Sequence, residues 1–322
     1  MEIRKLDTGF NTKYLTLCET KGSIFNSFEW LTIYQDALEI FGIFNDDNKL
    51  IGGFYLFKTK LAGVLTHYKN PPFTPHIGLF FDNQTGNKAN SLSFEKNLAN
   101  CLAHFLDKLP FQIITLSLPD KFCDAQPFIW KKFKVIPNYT YQLNLENSEA
   151  ELLKNISGDK RNSINKASKD KVSVIACTDM KVVKQMVEKT YTRKAKTLNE
   201  KILNSILFDF SNTQNSYAYV ALVDNQPAAL CFCIHDASTA YYLLGGYDSK
   251  NKHQGAGVLA LWNCVLHAKK TGLKKFDFEG SMIPEIEKYF RGFGGDLVPY
   301  FTLNKANILV ESVLKFIKRE SF

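Results

Sequence analysis

One block near the C-terminus constrains the fold more than any other part of the chain: two glycine-punctuated turns bracket alternating helical and extended patterns. Lys252-His253-Gln254-Gly255-Ala256-Gly257 opens a stretch in which Leu259, Trp262, Val265 and Leu266 recur at helical spacing over 258–270. A strand is expected over 274–278, and Asp277-Phe278-Glu279-Gly280-Ser281 turns it into a short helix over 283–290. Arg291-Gly292-Phe293-Gly294-Gly295 closes that helix before a strand over 297–303. Elements alternating in this way belong to an α/β architecture rather than to a helical bundle or a β-sandwich.

The sequence upstream fits the same architecture twice over. Three apolar runs, 217–223, 228–235 and 239–246, are separated by Asp224-Asn225-Gln226-Pro227 and Asp236-Ala237-Ser238 and read as successive strands. Before them come a strand over 139–145, a helix opened by Ser148 with Glu151 three residues on, and a basic helix over 159–169. The first half carries a helix capped by Ser27, a hairpin over 40–57, a proline-fixed loop over 70–75, a strand over 77–81, a helix over 95–109 and a strand over 111–118. With 322 residues the chain exceeds one small core. Two packed α/β domains are expected, 1–137 and 138–322, with the boundary near Pro137.

Composition narrows the class. Hydrophobic residues at 45% and charged residues at 22% are those of a globular protein, and no apolar run approaches the roughly 20 residues that span a bilayer. The seven cysteines are scattered and odd in number, and Cys231 and Cys233 alternate along a strand, so they read as buried thiols of a reducing, cytoplasmic compartment. His67, His76, His104 and His267 are too dispersed to argue for a metal site. A net charge of +8, concentrated over 154–171 and 181–201 and at Lys315, Lys318 and Arg319, suits a polyanionic partner (nucleotide phosphates, tRNA or an acidic lipid headgroup) or simply solvated helix faces.

The glycine turn, helix, strand and helix, together with Gly292-Phe293, resemble the donor-binding half of the GNAT acyltransferase superfamily. Gly158-Asp159-Lys160-Arg161-Asn162-Ser163-Ile164-Asn165-Lys166-Ala167 resembles the basic helix of the FemABX-type transferases, which are built from two GNAT-like domains in tandem. The resemblance spans nearly the whole chain. It implies two tandem GNAT-like domains, each a mixed central sheet flanked by helices, with the donor site in the second. It also implies transfer of an acyl or aminoacyl group to an amine on a lipid, a cell-wall precursor or a sugar. The co-substrate would be acyl-CoA, a carrier-protein thioester or aminoacyl-tRNA, with no permanently bound cofactor. Non-catalytic binding of anionic lipid or RNA, including peripheral contact at the inner face of a membrane, is the alternative on the same fold. Two positions depart from the family pattern: Lys252 stands where a planar Arg or Gln is usual, and Lys288 where a tyrosine often serves as leaving-group acid, with Tyr289 one step on.

The chemistry needs a nest for phosphate, a polarised carbonyl and a proton acceptor. Gly255, Ala256 and Gly257, with Lys252 and Gln254, would expose helix N-terminal amides to the donor phosphates. Residues 239–246, ending in Gly245-Gly246, would polarise the carbonyl where two strands splay. Asp277 and Glu279 share a strand face and could act as base or form a salt bridge. Arg291 could clamp a phosphate or carboxylate, or complement the helix dipole. Lys160 and Arg161 are assigned to substrate by the resemblance, and Tyr242 could line the acceptor groove or belong to the core.

Overall fold

In a computed structural model of the protein, residues 1–6, 12–194, 197–280, 282–317 and 320 are described. Ser281, Lys318 and Arg319, singled out above, lie outside them. The chain forms two compact units, Met1–Asn138 together with Pro299–Phe322, and Tyr139–Val298.

The first unit contains β1 (Glu2–Lys5), α1 (Thr12–Lys21), α2 (Phe28–Thr32), β2 (Leu38–Phe44), β3 (Leu50–Leu61), β4 (Leu65–Lys69), β5 (Phe80–Phe81), α3 (Lys88–Asp107), β6 (Ile113–Ser117) and α4 (Gln126–Trp130). β7 (Lys134–Asn144) leads into the second unit, which holds α5 (Glu149–Asn155), α6 (Gly158–Lys169), β8 (Ser173–Ala176), α7 (Met180–Arg193), α8 (Glu200–Asn204), β9 (Ser216–Val223), β10 (Gln226–His235), β11 (Thr239–Tyr247), α9 (Ala256–Lys270), β12 (Lys275–Asp277) and α10 (Pro284–Arg291). β13 (Asp296–Ala306) and α11 (Ile308–Ile317) complete the chain. A domain running from 138 to the C-terminus is not what the contacts draw. From Thr302 to Ala306, β13 pairs with β6, so the end of the chain packs with the first unit.

Local signals explain where the elements start. The Ser27 hydroxyl accepts from Trp30 N–H, and Ser148 and Glu151 cap α5 reciprocally, both as the sequence indicates. α3 starts earlier than its apolar stripe suggests, at Lys88, because the Asn87 side chain accepts from Asn90 N–H. In the second unit the strand order is β7-β12-β11-β10-β9-β8. β10 is buried almost throughout, as a central strand covered on both faces must be. α9 packs on β9 and β10, and α7 on β11. The largest core side chains here include Phe232, Phe276, Phe278 and Phe293.

Among the described residues, each unit contains a parallel strand pair joined by a crossover that includes a long helix: β4 and β6 around α3, β11 and β12 around α9. The two pairs are finished differently. In the first unit, β4 ends at Lys69 and its place is taken by the returning loop: Tyr55 N–H donates to Ile77 O, and Ile77 N–H donates to Ser117 O. One residue thereby bridges β3 and β6. The loop is held by Asn70, which accepts from Ser117 N–H and donates to Pro75 O, and by Asn26, which donates to Gly78 O. Gly78 has φ +58°, and a Cβ there would sit 2.2 Å from the Tyr55 ring. Backbone strain and overpacking therefore act together on any substitution. Gly78→Ala is expected to destabilise the protein by about 2 kcal/mol or more, read from the denaturant midpoint; an unchanged midpoint would contradict this construction of the plug.

Candidate active site

In the second unit the gap stays open. β11 and β12 pair over only three residues, Thr239 with Lys275, Ala240 with Phe276 and Tyr241 with Asp277. Past that point each strand follows its other neighbour. Phe278 N–H still donates to Tyr141 O of β7, while β11 continues along β10 to the pair Ala229–Tyr247. β11 also carries an extra residue there: Phe232 faces Leu244 and Cys233 faces Tyr242, leaving Leu243 as a bulge. A bulge bends its strand and shifts the alternation of faces by one. Among the described residues, β11 beyond Tyr241 has no strand neighbour on the β12 side.

A cavity of about 530 Å³ lies against this edge. Its wall is built from Tyr242, Gly245 and Gly246 of β11, Gly257 and Val258 at the start of α9, and Tyr289 of α10. Arg193 and Lys194 at the end of α7, with His253, also border it, and Glu285 stands on the α10 side. The Tyr242 hydroxyl lies where a Cβ on Gly245 would be, 2.0 Å away. Burial raises the phenols of Tyr242 and Tyr289 well above their ordinary range, so both are neutral donors at physiological pH.

Of the residues expected in the donor loop, Gln254 and Gly257 line the cavity, whereas Lys252 points to solvent. Gly255 and Ala256 are buried and serve the framework. A Cβ on Gly255 would sit 2.2 Å from Ser163 O, so its bare backbone lets α9 approach α6. Its N–H donates to His253 Nδ1, which fixes that ring's proton on Nε2, and Nε2 donates to Asp170 Oδ2 at 3.0 Å. That bond, with Lys166 beside it, holds the Asp170 carboxyl below the usual carboxylate range. Gly257 and Val258 line the cavity and lie within the first turn of α9, whose amides have no intrahelical acceptor. Gly257 is the open position: the nearest atom to a Cβ there is the Tyr289 hydroxyl, at 3.5 Å.

The acid and base candidates are placed differently from the strand alternation. β12 ends at Asp277, and Glu279 has φ +60°, so the two carboxylates do not share one strand face. Asp277 is buried: Oδ1 accepts from Thr140 Oγ1 at 2.6 Å and from Glu279 N–H at 2.8 Å, and Oδ2 accepts from Gln142 Nε2 at 2.7 Å. Its carboxylate ties the end of β12 to β7. Arg291 is exposed and paired with Glu287 at 2.9 Å, one helical turn back, and Glu287 also accepts from the Tyr141 hydroxyl. Arg161 donates to the carbonyls of Leu153, Lys154 and Ile156, closing the C-terminus of α5. None of Asp277, Glu279, Arg291 and Arg161 is among the cavity-lining residues.

Two side chains gain a role that spacing alone did not give them. On α10, Lys288 is exposed while Tyr289 turns to the cavity. Lys160 of α6 lies beneath it, its ammonium 3.4 Å from the centroid of the Tyr289 ring and 5.2 Å from that of Phe293. The signal available in sequence was Tyr289 itself, adjacent to the position where a tyrosine is usual.

The acetyltransferase (GNAT) domain family matches residues 166–291. Among solved structures, FemX is similar over 98% of this chain and 100% of its own, with TM-score 0.66 at 12% identity. A tandem GNAT protein from the clavulanic acid biosynthesis pathway covers 94% of this chain and 97% of its own, with TM-score 0.53 at 10% identity. L-PGS from Bacillus licheniformis covers 94% and 95%, with TM-score 0.55 at 11% identity. No curated protein matches the chain. At such identities the structural likenesses speak for the fold alone, that of a tandem GNAT protein and of FemX. Residues 166–291 thus match a GNAT acetyltransferase domain, and the chain as a whole has a fold similar to those of FemX and the tandem GNAT protein.

Burial draws the Lys160 ammonium down to about 8. Because its folded value lies below the ordinary lysine range, folding disfavours the bound proton. That penalty is complete below pH 8 and is relieved as pH rises toward the unfolded value. The melting temperature of the wild type should therefore gain on that of Lys160→Met between pH 7 and 10; parallel curves would mean that Lys160 keeps an ordinary affinity for its proton.

Proposed function

We propose that the protein is an N-acyltransferase that takes an acyl group from a phosphopantetheine thioester, acyl-CoA or a carrier protein, and passes it to an amine. One observation carries the reading: the free edge of β11, the N-terminus of α9 and the Tyr289 hydroxyl meet at a single cavity, next to a position with room for a ligand, Gly257. A thioester arm entering between β11 and β12 would add to the β11 edge through its amides, much as a peptide strand does. Its carbonyl would lie within reach of main-chain donors, which stabilise the developing oxyanion. Arg193 and Lys194 supply positive charge at the border for the donor's phosphates.

The acceptor amine attacks as the free base and forms a C–N bond. The tetrahedral intermediate then expels the thiolate, and the ammonium proton passes to water or a nearby base. Tyr289, kept protonated by burial, donates to the departing sulfur. Asp277 and Arg291 act as framework in this reading, and Glu279 has no assigned step. A thioester is favoured over aminoacyl-tRNA because much of the charge on the basic helix is already engaged: Lys160 lies on aromatic rings, Arg161 caps α5 and Lys166 pairs with Asp170.

CoA should raise the melting temperature of the protein, and Gly257→Trp, which fills the cavity, should abolish that shift. Stabilisation by aminoacyl-tRNA but not by CoA would overturn the choice of donor. Tyr289→Phe should slow thiol release from an acyl-CoA in the presence of amines by about a hundredfold, with the CoA-induced shift retained. A rate equal to that of the wild type would remove Tyr289 from the reaction.

A further inference from the structure

The first unit carries an apolar surface that the chemistry of the second does not use. α11 is ten residues long, about 15 Å, and none of them is buried. Leu309, Val313, Phe316 and Ile317 form one broad face, with Glu311, Ser312 and Lys315 opposite. Phe316 is 93% and Leu309 83% exposed. A helix this short is marginal in water unless its apolar face is covered.

The turn between β3 and β4 lies close by. Thr66 N–H donates to Gln112 Oε1, Gln112 N–H donates to Thr66 O, and Asn307 N–H donates to Gln112 O. His67, Ile113 and Ala306 stand in register across β4, β6 and β13. The hairpin end and the start of α11 are thus separated by two strand spacings, roughly 10 Å. The turn itself is Leu61-Ala62-Gly63-Val64, with φ +49° at Ala62 and +75° at Gly63. Such a turn in water favours Asn or Asp before the glycine. Here the position is Ala, in a left-handed conformation unfavourable to it, between Leu61 and a 71% exposed Val64. An apolar hairpin tip and an apolar helix face therefore project from the same end of the unit.

Charge selects the occupant. Among the described residues of these elements, Lys58, Lys60, Lys69 and Lys315 stand against one carboxylate of their own, Glu311, which pairs with Lys315, and Glu39 of β2, which lies 3.7 Å from Lys58, so the cations remain in excess. A two-fold contact between copies would set this cationic excess against itself. An anionic bilayer surface satisfies both features, taking the apolar tips into the headgroup boundary and the lysines at the phosphates. We infer that the β3–β4 hairpin tip and α11 form a docking surface for an anionic lipid bilayer, on which the protein rests peripherally. No helix among the described residues is long and apolar enough to cross a membrane.

The intact protein should co-sediment with phosphatidylglycerol-rich vesicles and far less with pure phosphatidylcholine, and salt should weaken the binding. Val64→Asp and, separately, Leu309→Ser with Phe316→Ser should each lower the bound fraction about tenfold, with melting temperature and CoA response unchanged because these side chains are exposed and none is among the cavity-lining residues. Failure to bind anionic vesicles, or binding indifferent to both variants, would overturn the inference. So would a concentration-dependent dimer in sedimentation velocity that Val64→Asp dissolves, which would make the surface a contact between copies.

Discussion

The divergence of two parallel strands after three paired residues is the constraint from which the rest of the second unit follows. It is held from both sides. Asp277, the last paired residue of β12, is bound to Thr140 and Gln142 of β7, and the chain beyond it stays with β7 through Phe278. β11 stays with β10 and is bent by the bulge at Leu243. Opening the gap leaves main-chain groups of a central strand without a strand partner. That is costly in a protein interior unless a ligand or solvent supplies what the missing strand would.

The first unit shows the alternative outcome on the same plan. Its parallel pair also separates, but Ile77 returns to bridge β3 and β6 and closes the ladder with the chain's own backbone. Three prolines, Asn70 and Asn26 keep that loop in place. The contrast supports assigning the donor to the second unit. It also frees the first unit for another task, and its most exposed apolar side chains lie on α11 and the β3–β4 turn, which we assign to a bilayer.

Much of the fold was legible because burial follows period. The helix over 258–270, the three strands before it and the capping box at Ser148 are where the spacing of apolar residues puts them. α11 went unread, since its apolar face meets no core and its pattern had nothing to be complementary to. The site was less legible. Gly255, Asp277 and Arg161 carry the residue types that chemistry uses, yet packing, a strand terminus and a helix cap claim them. Tyr289, one position from where spacing looked for it, lines the cavity, whereas Lys288 is exposed.

Local rules, then, determined the order of elements, their ends, and a glycine turn that can only open a helix, because propensity, capping and periodicity act within a few residues. The tertiary structure alone decided which parallel pair stays open, which polar side chains are spent on the framework and which line the cavity. Those outcomes depend on hydrogen bonds between residues more than a hundred positions apart, such as Thr140 with Asp277, and no local pattern encodes a partner at that distance.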